Sequence, residues 1–391
     1  MSETPAKRAG PPEPIPLNVF TGFLGAGKTT LLNRLLKDPA LADTAVLVNE
    51  VGEIGIDHNL YEVLDDDVVL LSSGCLCCAV RGDLVTALEN LLRGRDNNRI
   101  KAFKRVVIET TGLADPASVL HVLMTHPYLV LRYRLDGVIT LVDAVNGMQT
   151  LDQHEEAVKQ AAMADRIVLT KVDLLQDEPG KRVLAELRER LRKLNPAAIV
   201  LDSNAPANEL LGAGLYNPER KIPDVARWLR EEAVLAAEEE AHDHAHHHGH
   251  GHHHHHHGHT DPHDRPSRHD ASIKVFSIAT DQAVPLAALE MFLDLMRSAH
   301  GDKLLRLKGI VRLQDDPSRP LVLHVVQHLM HPPARLEAWP DADQRTRMVC
   351  ITRNLAPDTV RRMFAAFLGT PQVDTPDRAA LEDNPLSLRG L

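Results

Sequence analysis

At 391 residues the chain has room for two or three ordinary domains, and its 43% hydrophobic and 25% charged residues fit folded globular units. A net charge of −10 argues against a broad nucleic-acid surface, and only 3% aromatics argue against a stacking platform for single strands. No run approaches the ~20 apolar residues that span a bilayer, and the first residues lack an apolar h-region, so no membrane segment and a cytoplasmic address are expected.

Residues 1–14 read as a disordered polar tail, and from residue 15 to 240 short β-branched runs alternate with helical patterns. Strands are expected at Leu17–Thr21, Ala45–Val48, Val68–Leu71, Val106–Glu109, Val138–Val142, Ile167–Thr170 and Ala198–Leu201. Helical patterns fit Thr29–Lys37, Leu84–Leu92, Pro116–Met124, Glu155–Met163, Val183–Leu194 and Pro223–Glu240. The alternation predicts an α/β fold: a parallel sheet with helices on both faces. Residues 241–271 are a low-complexity His, Gly, Asp and Pro linker that could bury no core. Residues 272–391 read as a smaller α+β domain, with strands at Ser272–Ile278, Leu305–Val311, Leu321–Val326 and Arg347–Thr352 and helices at Pro285–Ser298 and Asp358–Leu368.

Three motifs bear on a nucleotide. Gly22, Gly25, Ala26 and Gly27, followed by Lys28, Thr29 and Thr30, match G-x-x-x-x-G-K-[ST] between an expected strand and an expected helix. Glycines let such a loop wrap around phosphates while its N–H groups and the helix N-terminus stabilise their charge. Lys28 is expected on the β and γ phosphates and the Thr29 hydroxyl on Mg2+. Glu109 ends another strand in Glu109-Thr110-Thr111-Gly112, where a carboxylate can serve Mg2+ and the Gly112 N–H a γ phosphate; Lys28, Thr29 and Glu109 form the expected catalytic set. Thr170-Lys171-Val172-Asp173 has the form of a guanine-reading motif: an aspartate accepts from guanine N1 and N2, a donor pair that adenine lacks.

Cysteine and histidine point to a metal. Cys75, Cys77 and Cys78 crowd one expected turn, and thiolates select zinc, copper(I) or iron–sulfur clusters over hard cations. Three thiolates leave a tetrahedral ion one position open, for water, a histidine or a carboxylate such as Glu50. Of 23 histidines, 15 lie between His242 and His269, a candidate metal collector as well as a linker. His324, His328 and His331 form a weaker second candidate, while His58, His121, His126, His154 and His300 read as ordinary residues.

Phosphate loop, G-C-x-C-C, E-T-T-G and T-K-x-D together resemble the CobW-like branch of the P-loop GTPases, relatives of the urease and hydrogenase nickel-insertion GTPases. Val48–Asp57 resembles that branch's switch segment, with Val51 where Phe is common, and His324–His328, Trp339-Pro340 and Val349–Thr352 resemble its C-terminal domain. The resemblance implies slow GTP hydrolysis and transfer of a metal to a client metalloprotein without naming the metal; zinc, held by the cysteines, is the expected cargo, and a metal-dependent homodimer is a further expectation. Two alternatives stand beside it: a cobalt chaperone for cobalamin synthesis, and a metal store with vestigial GTPase activity.

Overall fold

The computed structural model describes residues 13–49, 70–73, 81–211 and 272–369. Glu50, the Cys75–Cys78 turn, the expected 223–240 helix and the histidine tract lie outside the described residues.

Seven strands form the first sheet: β1 Ile15–Gly22, β2 Thr44–Asn49, β3 Leu70–Ser73, β4 Arg105–Glu109, β5 Tyr133–Asp143, β6 Arg166–Thr170 and β7 Ile199–Asp202. Their order is β3-β2-β4-β1-β5-β6-β7, and every pairing is parallel. A parallel sheet is covered on both faces, which is why β4 and β6 read as unbroken apolar runs. Helices α1 Lys28–Leu36, α2 Arg81–Asp96, α3 Pro116–Thr125, α4 Leu129–Arg132, α5 Gly147–Gln153, α6 Glu155–Met163, α7 Glu178–Leu194 and α8 Ala207–Leu211 supply that cover. Strand alternation sorts the packing. Leu17, Val19, Val106 and Ile108 meet Leu88 and Leu91 of α2 and Leu120 of α3, whereas Phe20, Val107 and Ile139 meet Leu31, Leu32 and Leu35 of α1. The expected elements are all present among the described residues; α4, α5 and α8 are additional.

The second sheet is antiparallel: β8 Ile273–Thr280, β9 Leu304–Val311, β10 Leu321–Val326, β13 Thr346–Arg353 and the short β11 Leu329–Met330 and β12 Ala334–Arg335. Helices α9 Leu286–His300 and α10 Pro357–Phe367 pack Phe292, Leu293, Val360 and Phe364 on one of its faces. The other face lies on the first domain, where Leu305 and Ile351 join Ala161, Leu187 and Leu191. All eight residues of β9 are therefore buried. A register shift opposite Ile351 and Thr352 marks a bulge in the β9–β13 ladder. It accompanies two successive residues, Leu305 and Arg306, turned toward the first domain: Leu305 joins its core, and Arg306 pairs with Asp165 and donates to Met163 O.

The three-histidine candidate does not converge. His324 and His331 are cross-strand neighbours, buried and stacked with ring centroids 4.4 Å apart. The turn after β10, with Gln327 at φ 51°, sends His328 outward, where its ring bonds Arg297 O (2.8 Å) and Asp302 (2.9 Å). Among the described residues no three His, Cys, Asp or Glu side chains are grouped to hold a metal ion. Arg306 and Lys308 beside the stacked pair disfavour a further cation. No described helix is long and apolar enough to cross a membrane.

Burial, reinforced for His324 by its neighbour His331 and for both by Arg306 and Lys308, pulls His324 well below the ordinary histidine range. It pulls His331 down to about 4, although Asp165 works the other way. Both rings are neutral in the folded chain, whereas an unfolded histidine takes its proton near pH ~6.5. Stability is therefore undiminished above that value and falls as pH drops from it toward the folded value of about 4. Each ring should cost on the order of 2 kcal/mol by pH ~5. Urea unfolding of His324→Leu/His331→Met should show a flatter loss between pH ~7 and ~5 than the wild type; parallel pH profiles would exclude this origin.

Candidate functional site

The carboxyl ends of β1, β4, β5 and β6 lie side by side, and the expected nucleotide residues follow them, where open α/β sheets bind ligands. β1 ends at Gly22, and the loop turns through Gly25 (φ 72°) and Gly27 (φ 83°), left-handed values that side chains resist. Gly27 is the N-cap of α1, and no side chain caps that helix, so its first N–H groups are offered to an anion. Lys28 Nζ donates to Gly22 O (2.8 Å) and Phe23 O (3.3 Å), which sets the ammonium over the hollow of the loop. Ala26 is buried beneath the loop and Thr30 is exposed on α1.

Thr29 Oγ1 donates to Glu109 Oε1 at 3.2 Å, joining residues 80 positions apart. A hydroxyl and a carboxylate so placed are hard oxygen donors suited to Mg2+, so the pair fits the expected ion in chemistry and position. Thr110 fixes the next step: its N–H donates to Phe20 O (2.8 Å) and its hydroxyl bonds Thr21 Oγ1 (2.9 Å). Gly112 then passes so close to the phosphate loop that an added Cβ would stand 2.6 Å from Leu24 N.

The base-reading segment is tied to the same loop. Thr170 Oγ1 donates to Ala26 O at 2.9 Å, so the end of β6 and the phosphate loop move together. Lys171 is left-handed (φ 59°) and its ammonium reaches Asp143 at 2.8 Å. Burial works to raise the Asp143 carboxyl, but Lys171, Asn146 and the Val145 N–H overcome it and hold it below the usual range. Asp173 follows on an exposed single turn, open to a base.

Against this frame stand the known proteins. The model of the CobW/HypB/UreG nucleotide-binding domain matches residues 16–202, and that of the cobalamin synthesis protein cobW C-terminal domain matches residues 273–368. The zinc chaperone YjiA of Escherichia coli (strain K12) is 32% identical over 354 residues, 90% of this chain and 99% of its own. The chain belongs to the CobW/HypB/UreG family. Like that family it is a P-loop GTPase. A crystal structure of zinc-bound YjiA aligns with a TM-score of 0.62 at 27% identity, covering 91% of this chain and 99% of that one. Zinc-regulated GTPase metalloprotein activator 1 of Schizosaccharomyces pombe is 34% identical over 198 residues, spanning 49% of this chain and 46% of that protein.

In this CobW-type GTPase the structure brings Lys28, Thr29, Glu109, Gly112, Thr170 and Lys171 around one loop. It also assembles residues that sequence reading passes over. Asp143 ends a strand as Glu109 does, a signal that was available. Gln160 is a buried polar residue within an alanine-rich helix, and His154, read as ordinary, stacks on Phe23 of the phosphate loop at 4.3 Å. A cavity of about 270 Å³ lies beside that loop, lined by Phe23, Leu24, Asp143, Asn146, Gln160 and Lys171 among others.

The tight passage at Gly112 yields a direct test. Gly112→Ala should force the loop from Leu24 and lower GTP turnover by ~10-fold or more while GDP affinity changes little, a loss specific to the transition state. Steady-state hydrolysis with GDP titration would check it, and full turnover would show that the passage has no catalytic use.

Proposed function

We propose that this protein is a cytoplasmic metallochaperone that carries zinc on Cys75, Cys77 and Cys78 and hands it to a client metalloprotein, its metal affinity set by GTP with Mg2+. The observation that supports this most is the likeness to the zinc chaperone YjiA along almost all of both chains, 90% of this one and 99% of that one.

The nucleotide chemistry follows from the residues around the loop. Lys28 and the N–H groups from Gly22 to Thr30 neutralise the β and γ phosphates, and Thr29 with Glu109 would hold Mg2+. When bound, that ion supplies positive charge to the β and γ oxygens. Asp173 accepts from guanine N1 and N2, Lys171 packs its stem along the base, and Thr170 keeps the base-reading loop in step with the phosphate loop. Gly112 offers its N–H to the γ phosphate. At the metal end, three thiolates bind a soft or borderline ion tightly, and a fourth position, filled by Glu50, water or a histidine, permits release. The histidines of 242–269 gather metal at lower affinity. A second reading is favoured by that concentration, 15 of 23 histidines in one stretch: a store whose metal affinity ignores the nucleotide.

Competition titration of zinc, and of cobalt in parallel, into the apo, GDP and GTP-analogue forms separates the two. Coupling of ordinary size, ~1–3 kcal/mol, tightens zinc about 5- to 150-fold with the GTP analogue, and Cys77→Ser/Cys78→Ser should abolish the gain while GTP binding survives. Equal affinities in all three forms would leave the store reading, and a cobalt preference would change the cargo. Base reading is checked by Asp173→Asn, which should weaken GTP relative to xanthosine triphosphate; an unaltered ranking would remove Asp173 from the base site.

A further inference from the structure

Gln160 stands on α6 with 1% of its surface exposed, flanked by Ala157, Val158, Ala161 and Ala162 in the helix core. A primary amide there is costly unless its hydrogens are used. Both are: Nε2 donates to Gly112 O and to Ala114 O, each at 3.1 Å. Two carbonyl acceptors leave no choice about which side-chain atom is the nitrogen. The Gln160 backbone carbonyl accepts from Thr140 Oγ1 at 2.8 Å, so the residue is itself anchored to β5. Its Oε1 has no hydrogen-bond partner among the described residues, and the side chain lines the cavity beside the phosphate loop.

The two carbonyls belong to the segment that follows Glu109 and whose Gly112 abuts Leu24. A shift of that segment toward or away from a γ phosphate must therefore stretch the Gln160 amide bonds or carry α6 along. The helix is nine residues long and held at both ends. Glu155 pairs with Arg353 of β13 at its start; at its end Met163 O accepts from Arg306 of β9, and Asp165 pairs with the same guanidinium. Asn195 Nδ2 also donates to the carbonyls of Ala161 (2.8 Å), Ala162 (3.0 Å) and Ala164 (2.9 Å).

We propose that Gln160 is a positioning residue of the GTPase reaction: its amide sets the 109–114 loop against the phosphate loop and, through α6, makes the C-terminal sheet sense whether a γ phosphate is present. The inference concerns the nucleotide cycle alone and stands whichever metal is carried.

The test uses the full chain carrying Gln160→Met, which keeps side-chain length and helix propensity but donates nothing. GDP affinity should stay within about twofold of the wild type, while kcat and the preference for a non-hydrolysable GTP analogue over GDP each fall ~10-fold. Hydrogen exchange at residues 305–308 and 353 should differ between the GDP and analogue forms of the wild type and lose that difference in the variant. Unchanged kcat and preference would overturn the proposal. So would a parallel loss of both nucleotides with a lowered Tm, the mark of a merely structural glutamine. If the variant does not fold, the wild type decides alone: identical exchange over 155–163 and 305–308 in the two nucleotide forms refutes the coupling.

Discussion

Arg306 and Asp165 meet where the two sheets touch, with side chains 1% and 4% exposed. Withdrawing two ions from water costs several kcal/mol each, and attraction repays this only when the remaining donors and acceptors are also used. Here most are: Asp165 has Lys308 at 3.4 Å and the Val138 N–H at 2.9 Å, and Arg306 also donates to Met163 O, while Arg306 Nε has no hydrogen-bond partner among the described residues. Burial would raise the Asp165 carboxyl, yet Arg306 and Lys308 hold it below its ordinary value. Such a pair tolerates one arrangement. Because Asp165 lies between α6 and β6, that arrangement fixes the helix that braces the Gly112 segment and the strand that carries the base-reading motif.

The nucleotide site is a set of strand ends stitched to one loop. Thr29 to Glu109, Thr110 to Thr21 and Thr170 to Ala26 each join positions between 80 and 144 residues apart. None of these bonds is strong singly. Their value is positional, since catalysis of phosphoryl transfer rests on placing charge where it develops rather than on covalent chemistry. Parallel strands buried on both faces supply the rigidity from which such short side chains can act.

That division explains what could be read from the amino acids. The phosphate loop is legible because its chemistry is local: three glycines and an alanine, then Lys28 and Thr29, between an apolar run and a helical one. The strands are legible because burial on both faces writes continuous Val, Ile and Leu. Elements of two to seven residues, such as α4, α5, β11 and β12, carry too little periodicity and exist through tertiary packing. Gln160 escapes for another reason, since its partners lie 46 and 48 positions earlier, beyond any window. The histidines of β10 mislead in the opposite sense: spacing places His324, His328 and His331 together, but one left-handed turn residue separates the middle one from the others.

The contact between the sheets also bears on how the protein can be taken apart. Val326 and Leu329 belong to the same apolar cluster as Leu17, Leu88 and Leu120, and Ile273 and Leu305 to that of Ala161 and Leu191. The two sequence-defined domains therefore share two apolar clusters, although each also keeps one of its own. A fragment ending after α8 would bare the apolar flank of α6 along with the carboxylate of Asp165, and the complementary fragment would present Arg306 and Lys308 beside exposed leucine and isoleucine. Each piece would carry adhesive surface that the intact chain conceals, so an aggregating fragment would reflect the severed seam rather than an inherently unstable nucleotide domain.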